Sequence, residues 1–69
     1  MILEDFFELT LPKSSIAIYT EHDGEWPKTK EEIIKNYPEL LDRKVIRVWV
    51  NWFDSDIAVL AVMVKGKLK

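Results

Sequence analysis

Four large aromatic side chains and one arginine are the residues of this sequence whose types and spacing best suit binding chemistry. Trp49, Trp52 and Phe53 closely follow Arg47, and Trp26 stands in the first half of the chain. Aromatic rings bury large apolar areas, and the arginine guanidinium donates to carboxylates or phosphates through a planar fork. Both residue types are enriched at the centres of protein interfaces. The pattern therefore favours a contact surface.

Two groups of acidic and histidine residues have the types that acid–base or metal chemistry requires. His22 lies between Glu21 and Asp23, but three consecutive residues at a strand end cannot all point at one centre. A catalytic base also needs an orienting partner and a pocket. Asp54 and Asp56 have the spacing of a cation-binding loop without its other acidic ligands. We interpret both groups as turn residues.

Other catalytic signatures are missing from the sequence. It has no glycine-rich phosphate loop, no serine or cysteine nucleophile in a recognisable setting, and a single histidine. We therefore predict that the chain is not an enzyme and that it uses no cofactor and no metal.

Length and charge narrow the function classes further. With 69 residues and no cysteine, the chain forms one domain (1–69) with a small core and no disulfide. Such a chain can gain stability by self-association, so we predict a homo-oligomer. The formal net charge of −2 makes nucleic acid an unfavoured partner. No apolar run is long enough to span a bilayer, and the N-terminus has no basic flank ahead of an apolar run, which predicts a cytoplasmic protein without membrane contact.

A β-hairpin at residues 44–64 is the element that positions the aromatic residues. Two runs rich in β-branched and aromatic residues flank a short Asp/Ser cluster, as a hairpin requires. Alternation along the first strand puts one set on a predicted core face (Ile46, Val48, Val50 and Trp52) and the other on a partly covered face (Val45, Arg47, Trp49, Asn51 and Phe53). The second strand is apolar on both faces, which is typical of a central strand.

The remaining segments predict short elements around this hairpin. Helical periodicity covers residues 1–11, a strand covers residues 16–21, and a capping box from Thr29 to Glu32 begins a helix over residues 30–36. Pro38 interrupts that helix and starts a separate short turn. Residues 65–69 are expected to be a frayed tail. The predicted fold class is α+β: a small antiparallel sheet of three to four strands with a C-terminal β-hairpin, packed by one or two short helices.

The segment at residues 38–45 reads Pro-Glu-Leu-Leu-Asp-Arg-Lys-Val, after an Ile-Ala-Ile-Tyr run at residues 16–19 and before an alternating strand. In this order the chain resembles a family of small uncharacterised proteins encoded by phages and prophages of Firmicutes. The resemblance implies a bacterial host cell and no assigned catalytic residues. The family's middle segment reads as a strand, which leaves helix and strand both open for residues 25–36.

These observations predict a phage-derived accessory protein that acts through protein contacts, one version being an inhibitor of a host defence or host enzyme. Trp49 is the predicted anchor, unless a helix of the same chain covers it. The alternative is a nucleic-acid-binding accessory protein, in which bases stack on the aromatic sheet face near Lys44 and Lys65. The predicted partner-binding residues are Arg47, Trp49, Asn51, Phe53 and Trp26.

Overall fold

The computed structural model describes residues 1–54 and 56–68, without the side chains of Phe53 and Asp54. Along the chain the elements are helix α1 (Leu3–Glu8), strand β1 (Ser15–Thr20), strand β2 (Lys28–Thr29), helix α2 (Lys30–Asn36), a 3₁₀ turn (Pro38–Leu40), strand β3 (Val45–Asp54) and strand β4 (Ile57–Val64). The predicted α+β class with a C-terminal hairpin is confirmed.

The four strands form one sheet in the order β2-β1-β4-β3. β3 and β4 pair antiparallel as the hairpin, and β1 pairs antiparallel with the two-residue β2. β1 and β4, however, run parallel, with Ile16 opposite Leu60 and Thr20 opposite Val64. The sheet is therefore mixed, and the prediction of a wholly antiparallel sheet is wrong at this pair. The position of β4 between two strands agrees with its apolar character on both faces.

Helix α2 begins and ends where its sequence signals predict. The Thr29 hydroxyl accepts from the Glu32 N–H at 3.3 Å, and the Thr29 N–H donates to Glu32 Oε1 at 3.5 Å. The helix ends at Asn36, and Pro38 opens the separate 3₁₀ turn. The strand alternative for the middle segment is limited to the two residues Lys28–Thr29, directly before the helix.

Helix α1 is shorter than the helical periodicity predicts. It ends at Glu8, three residues before the predicted boundary at residue 11. Its first amides are satisfied by a loop, because Leu3 N–H donates to Arg43 C=O and Glu4 N–H donates to Leu41 C=O, both at 3.0 Å. At the other end Lys30 Nζ donates to Phe7 C=O at 2.7 Å. The cation lies where helix carbonyls lack partners, so α2 stabilises the end of α1.

One side of the sheet carries the main core. Both helices contribute to it, together with alternate residues of β1 and β4. Its fully buried large side chains are Leu3, Ile16, Ile18, Ile33, Leu40, Val62 and Val64. Of β3, only Val45 packs against this cluster among the described residues. The helices therefore cover the middle strands and leave most of the outermost long strand uncovered.

The described part of the C-terminal tail, residues 65–68, is held against the domain, which corrects the expectation of a frayed end. Leu68 is 4 % exposed and belongs to the main core, and its N–H donates to Asp23 Oδ1 at 3.3 Å. Gly66 makes the return possible, since its φ of +99° favours glycine. The Arg43 guanidinium also occupies the place of a Cβ there and donates to Lys65 C=O at 3.1 Å.

Candidate functional site

Strand β3 presents two sides with different surroundings. The open face is the side of the sheet opposite the helices, and it carries Arg47, Trp49 and Asn51 of β3 beside β1 and β4 residues. The edge row is the set of Val48, Val50 and Trp52, which shares the helix side of the sheet with Leu60 and Val62. Residues two apart along a strand point to the same side, so these sets alternate.

The open face has a small cluster of its own. Trp49 packs over Ala17, Val59 and Ala61, and all three are buried beneath it and Tyr19. The Trp49 and Tyr19 ring centroids lie 5.3 Å apart with a tilt of 37°, within the range of favourable aromatic pairs. No helical residue of the described chain belongs to this cluster. Trp49 is thus half-buried by the sheet itself, and the covering-helix alternative does not apply.

Hydrogen bonding and a close glycine contact hold the rings in place. Asn51 Nδ2 donates to the Tyr19 hydroxyl oxygen at 2.9 Å. On its other side the Tyr19 ring lies directly against Gly24, where a Cβ would overlap the ring carbons. Tyr19 and Gly24 also form a β-bridge. A ring covering a cross-strand glycine shields backbone that would otherwise be exposed. The open face therefore presents a preformed aromatic surface.

Two predicted site residues border this surface in more exposed positions. The Arg47 side chain is exposed and lies two residues before Trp49, on the same side of β3. Trp26 is 74 % exposed and lines a groove of about 330 Å³ together with Tyr19, Gly24 and Glu25. The structure therefore brings Arg47, Trp49 and Asn51 together, with Trp26 near the same Tyr19 ring. The Phe53 side chain lies outside the described part of the chain.

The edge row contradicts the prediction that this side of β3 is core. The exposed fractions are 44 % for Val48, 58 % for Val50 and 66 % for Trp52, and Ile46 before them is also exposed. The alternation holds over residues 47–52, where the row faces the helix side. Val45 was predicted on the partly covered face but packs against the main core, because the pairing register shifts between Val45 and Arg47. The short helices end over β1 and β4, so no element among residues 1–54 and 56–68 covers the row. Trp52 is a surface residue, not the core residue predicted.

The acidic and histidine group at residues 21–23 lies at a turn that hydrogen bonds of Thr20 with His22 and Asp23 hold together. The Thr20 hydroxyl donates to Asp23 Oδ1 and accepts from the N–H groups of His22 and Asp23 at 3.1 Å. His22 is exposed beside this turn. Within the described residues no three histidine, aspartate or glutamate side chains gather as metal ligands. Ser55, in the middle of the second predicted turn, lies outside the described residues.

One titratable group has a shifted pKa. Burial, followed by the nearby Glu25 carboxylate, raises the pKa of the Tyr37 hydroxyl above its ordinary value of 10.0. That hydroxyl donates to Glu25 Oε2 at 3.2 Å, and the Tyr37 ring packs against the main core. The neutral phenol is therefore favoured, and the bond ties the end of α2 to the segment before β2.

Sequence reasoning missed Tyr19 as a member of the surface. Alternation along β1 puts Tyr19 on the side of the sheet away from Ile16 and Ile18, which point into the main core. The bridge to Gly24 explains why a large ring fits there. The signal that could have found it is an aromatic strand residue a few positions before a turn glycine. The long-range pairing with Trp49 depends on β1 lying next to β4, which no local pattern reveals.

Comparisons with known proteins give no family to which the chain can be assigned. No family model, no curated protein and no solved structure matches it. Over residues 1–54 and 56–68, neither helix has the length and apolar character that crossing a membrane would need. Inference about function therefore starts from the two sides of β3.

Proposed function

We propose that this chain is a small non-enzymatic accessory protein that binds another protein through its open face. The observation that carries the proposal is the uncovered Tyr19–Trp49 ring pair with Arg47 exposed beside it. Rigid aromatic rings with an adjacent arginine are typical of the energetic centres of interfaces. A fitting partner surface is apolar with a carboxylate at its margin, because the guanidinium pairs with carboxylates in a bidentate manner.

Origin and target class form the wider part of the proposal. The Pro-Glu-Leu-Leu-Asp-Arg-Lys-Val segment supports a phage or prophage origin by its resemblance to that family. A small phage product without catalytic groups suits inhibition of a host defence or host enzyme. The proposed protein acts in the cytoplasm of the bacterial host as a homo-oligomer, since a domain of this size has a small core and no disulfide.

A reciprocal pull-down with matched variants tests the binding proposal. Wild-type protein, Arg47→Glu and the control Lys35→Glu would each capture proteins from a bacterial lysate, and each captured protein would then be tagged and used as bait. Arg47 and Lys35 are both exposed, so neither charge reversal creates a buried charge. We expect Arg47→Glu to lose the reciprocal partner and Lys35→Glu to keep it. Equal capture by all three proteins would contradict the open-face proposal.

The alternative function is binding of single-stranded nucleic acid on the same face. Its supporting observation is the position of the Tyr19–Trp49 ring pair on an uncovered sheet, the arrangement on which bases stack. The net charge of −2 and the half-burial of Trp49 weigh against it. Salt-sensitive binding of an oligonucleotide that is lost in Arg47→Glu would favour this alternative over protein binding.

A further inference from the structure

The outer edge of β3 is a long strand edge that the described chain leaves without a partner. β3 and β2 are the two end strands of the sheet, and β2 has two residues where β3 has ten. An unpaired edge presents a row of backbone N–H and C=O groups that can pair with another strand. Natural edges are commonly blocked by proline, by lysine or by a covering segment, and residues 48–52 carry none of these.

The N-terminal segment limits where a partner strand can lie. Met1 C=O accepts from Val45 N–H at 2.9 Å, and Ile2 forms an antiparallel bridge with Lys44. These contacts occupy the outer edge as far as Val45. The open stretch therefore runs over residues 46–54, and its central residue is Val50.

We propose that a second copy of this chain pairs antiparallel with this open edge, with the two-fold axis at Val50. The proposal specifies how the proposed self-association occurs and does not use the open face. A two-fold axis perpendicular to a sheet places one residue opposite itself and keeps the same side chains on the same side. Only an axis at Val50 matches residue 46 with residue 54 and so uses the whole open stretch.

The edge row is self-complementary in this register. Val50 faces Val50 of the partner subunit, and Val48 faces Trp52 of the partner subunit, twice. Aromatic and β-branched residues directly opposite each other are favourable cross-strand pairs. The three exposed apolar side chains that lack a helical cover would then be covered by the same three side chains of the other copy.

Charge along β3 favours a second copy in the antiparallel direction. The start of the strand is basic, with exposed Lys44 and Arg47, whereas exposed Asp56 follows its end. Antiparallel pairing places the basic end of each copy beside the acidic end of the other. A parallel pair would instead bring like charges together at both ends, which is unfavourable.

β3 also contains two irregularities that restrict the register of pairing with a second copy. Irregularities in pairing lie between Val45 and Arg47 and between Trp52 and Asp54. β-bulges bend a strand and end regular pairing, so the regular partner segment is short and centred close to Val50. An edge of this length with one apolar row covers less than the roughly 800 Å² per partner of a standard interface. We therefore expect a dimer that dissociates in the micromolar range.

Sedimentation of charge variants at the proposed axis tests this geometry. Wild type should shift from 8.2 kDa to twice that mass between low and high micromolar concentration. Val50→Lys and Val50→Glu should each weaken dimerisation by about tenfold or more, since each puts like charges opposite each other. An equimolar mixture of the two variants should dimerise again. Ile34→Lys, which changes an exposed apolar residue of α2, is the control and should dimerise as wild type does.

The outcomes separate this inference from the proposed function. An oligomer that persists unchanged in both Val50 variants would overturn the β3 geometry while leaving self-association intact. A wild type that stays at 8.2 kDa at all concentrations would overturn both the β3 geometry and the proposed self-association. The pull-down with the Arg47→Glu variant would still test protein binding through the open face. If a Val50 variant loses its far-ultraviolet dichroism, Trp52→Glu serves instead, because its side chain is more exposed. A Trp52→Glu protein that dimerises normally would also contradict the proposal.

Discussion

On the open face Trp49 lies against the Tyr19 ring and covers three buried small residues, whereas Trp52 on the helix side of the same strand is mostly exposed. At β3, the edge row on the helix side of the sheet is therefore more exposed than Trp49 on the open face. The open face buries its tryptophan because Ala17 and Ala61 on the neighbouring strands are small and leave room for two rings. Burial at this strand depends on the neighbouring strands more than on which side holds the helices.

A row of residues across the helix side shows the same point. Ile18 is opposite Val62, and Val62 is opposite Val48, so one line crosses three strands. Ile18 and Val62 are fully buried, and Val48 at the end of the line is 44 % exposed. The helices therefore cover the sheet as far as β4 and leave most of β3 exposed on that side. Apolar side chains beyond that limit are available for another molecule.

The largest expected difference is between the two tryptophans of β3. Trp49→Ala should lower the free energy of unfolding by about 2 to 3 kcal/mol, because it uncovers the cluster beneath it. Trp52→Ala should lower it by less than about 1 kcal/mol in the monomer. Urea unfolding at protein concentrations below dimerisation measures both. A larger loss in Trp52→Ala would invert the comparison of the two sides.

The next difference is between two valines on one line of the sheet. Val62→Ala should cost about 2 kcal/mol, from lost transfer free energy and a residual cavity, while Val48→Ala should cost about half of that or less. The chemical change is identical, so the ratio reports burial alone. Denaturant midpoints that shift equally would show that β3 is covered on the helix side.

A smaller effect is expected from a methyl group placed under the Tyr19 ring. Gly24→Ala should destabilise the domain by about 1 kcal/mol, since its Cβ would overlap the ring and the ring must move. Near-ultraviolet dichroism should change as Tyr19 leaves Trp49. Unchanged stability together with an unchanged aromatic signal would show that the open face is not preformed.

The smallest effect concerns the pKa of Tyr37 at the margin of the helical cover. Its folded-state pKa is raised, mainly by burial and then by Glu25, so the neutral phenol stabilises the fold. This contribution is fully present below pH 10 and is lost as the pH rises through the folded-state pKa. We expect wild type to be about 1 kcal/mol more stable than Tyr37→Phe at neutral pH. An advantage that stays constant through the alkaline range would exclude this linkage.

Local signals in the sequence were sufficient for several elements. The capping box at Thr29, the break at Pro38 and the apolar hairpin strands each act within a few residues, and each is confirmed. Alternation correctly assigned Arg47, Trp49 and Asn51 to one side of β3. These features depend on nearest-neighbour geometry, which the order of residues determines.

Features that depend on distant segments could not be predicted in the same way. The parallel pairing of β1 with β4 and the return of Leu68 to the core join residues more than forty positions apart. The exposure of Val48 and Trp52 depends on where two short helices end, and no pattern within β3 contains that information. Arg47, Trp49 and Asn51 were therefore placed correctly on one side of β3, while the larger uncovered apolar set on the other side was mistaken for core.

Cysteine cross-linking tests the central claim most directly, namely that the edge row of β3 pairs with itself around Val50. The chain contains no cysteine, so one introduced thiol reports one position. Opposed residues of an antiparallel pair have Cα atoms about 4.5 to 5.5 Å apart, which a disulfide can bridge. Under mild oxidation Val50→Cys should form a disulfide-linked dimer, and Val48→Cys, which faces position 52 of the other copy, should form no disulfide between copies. Equal cross-linking at both positions, or none at Val50→Cys, would contradict the account.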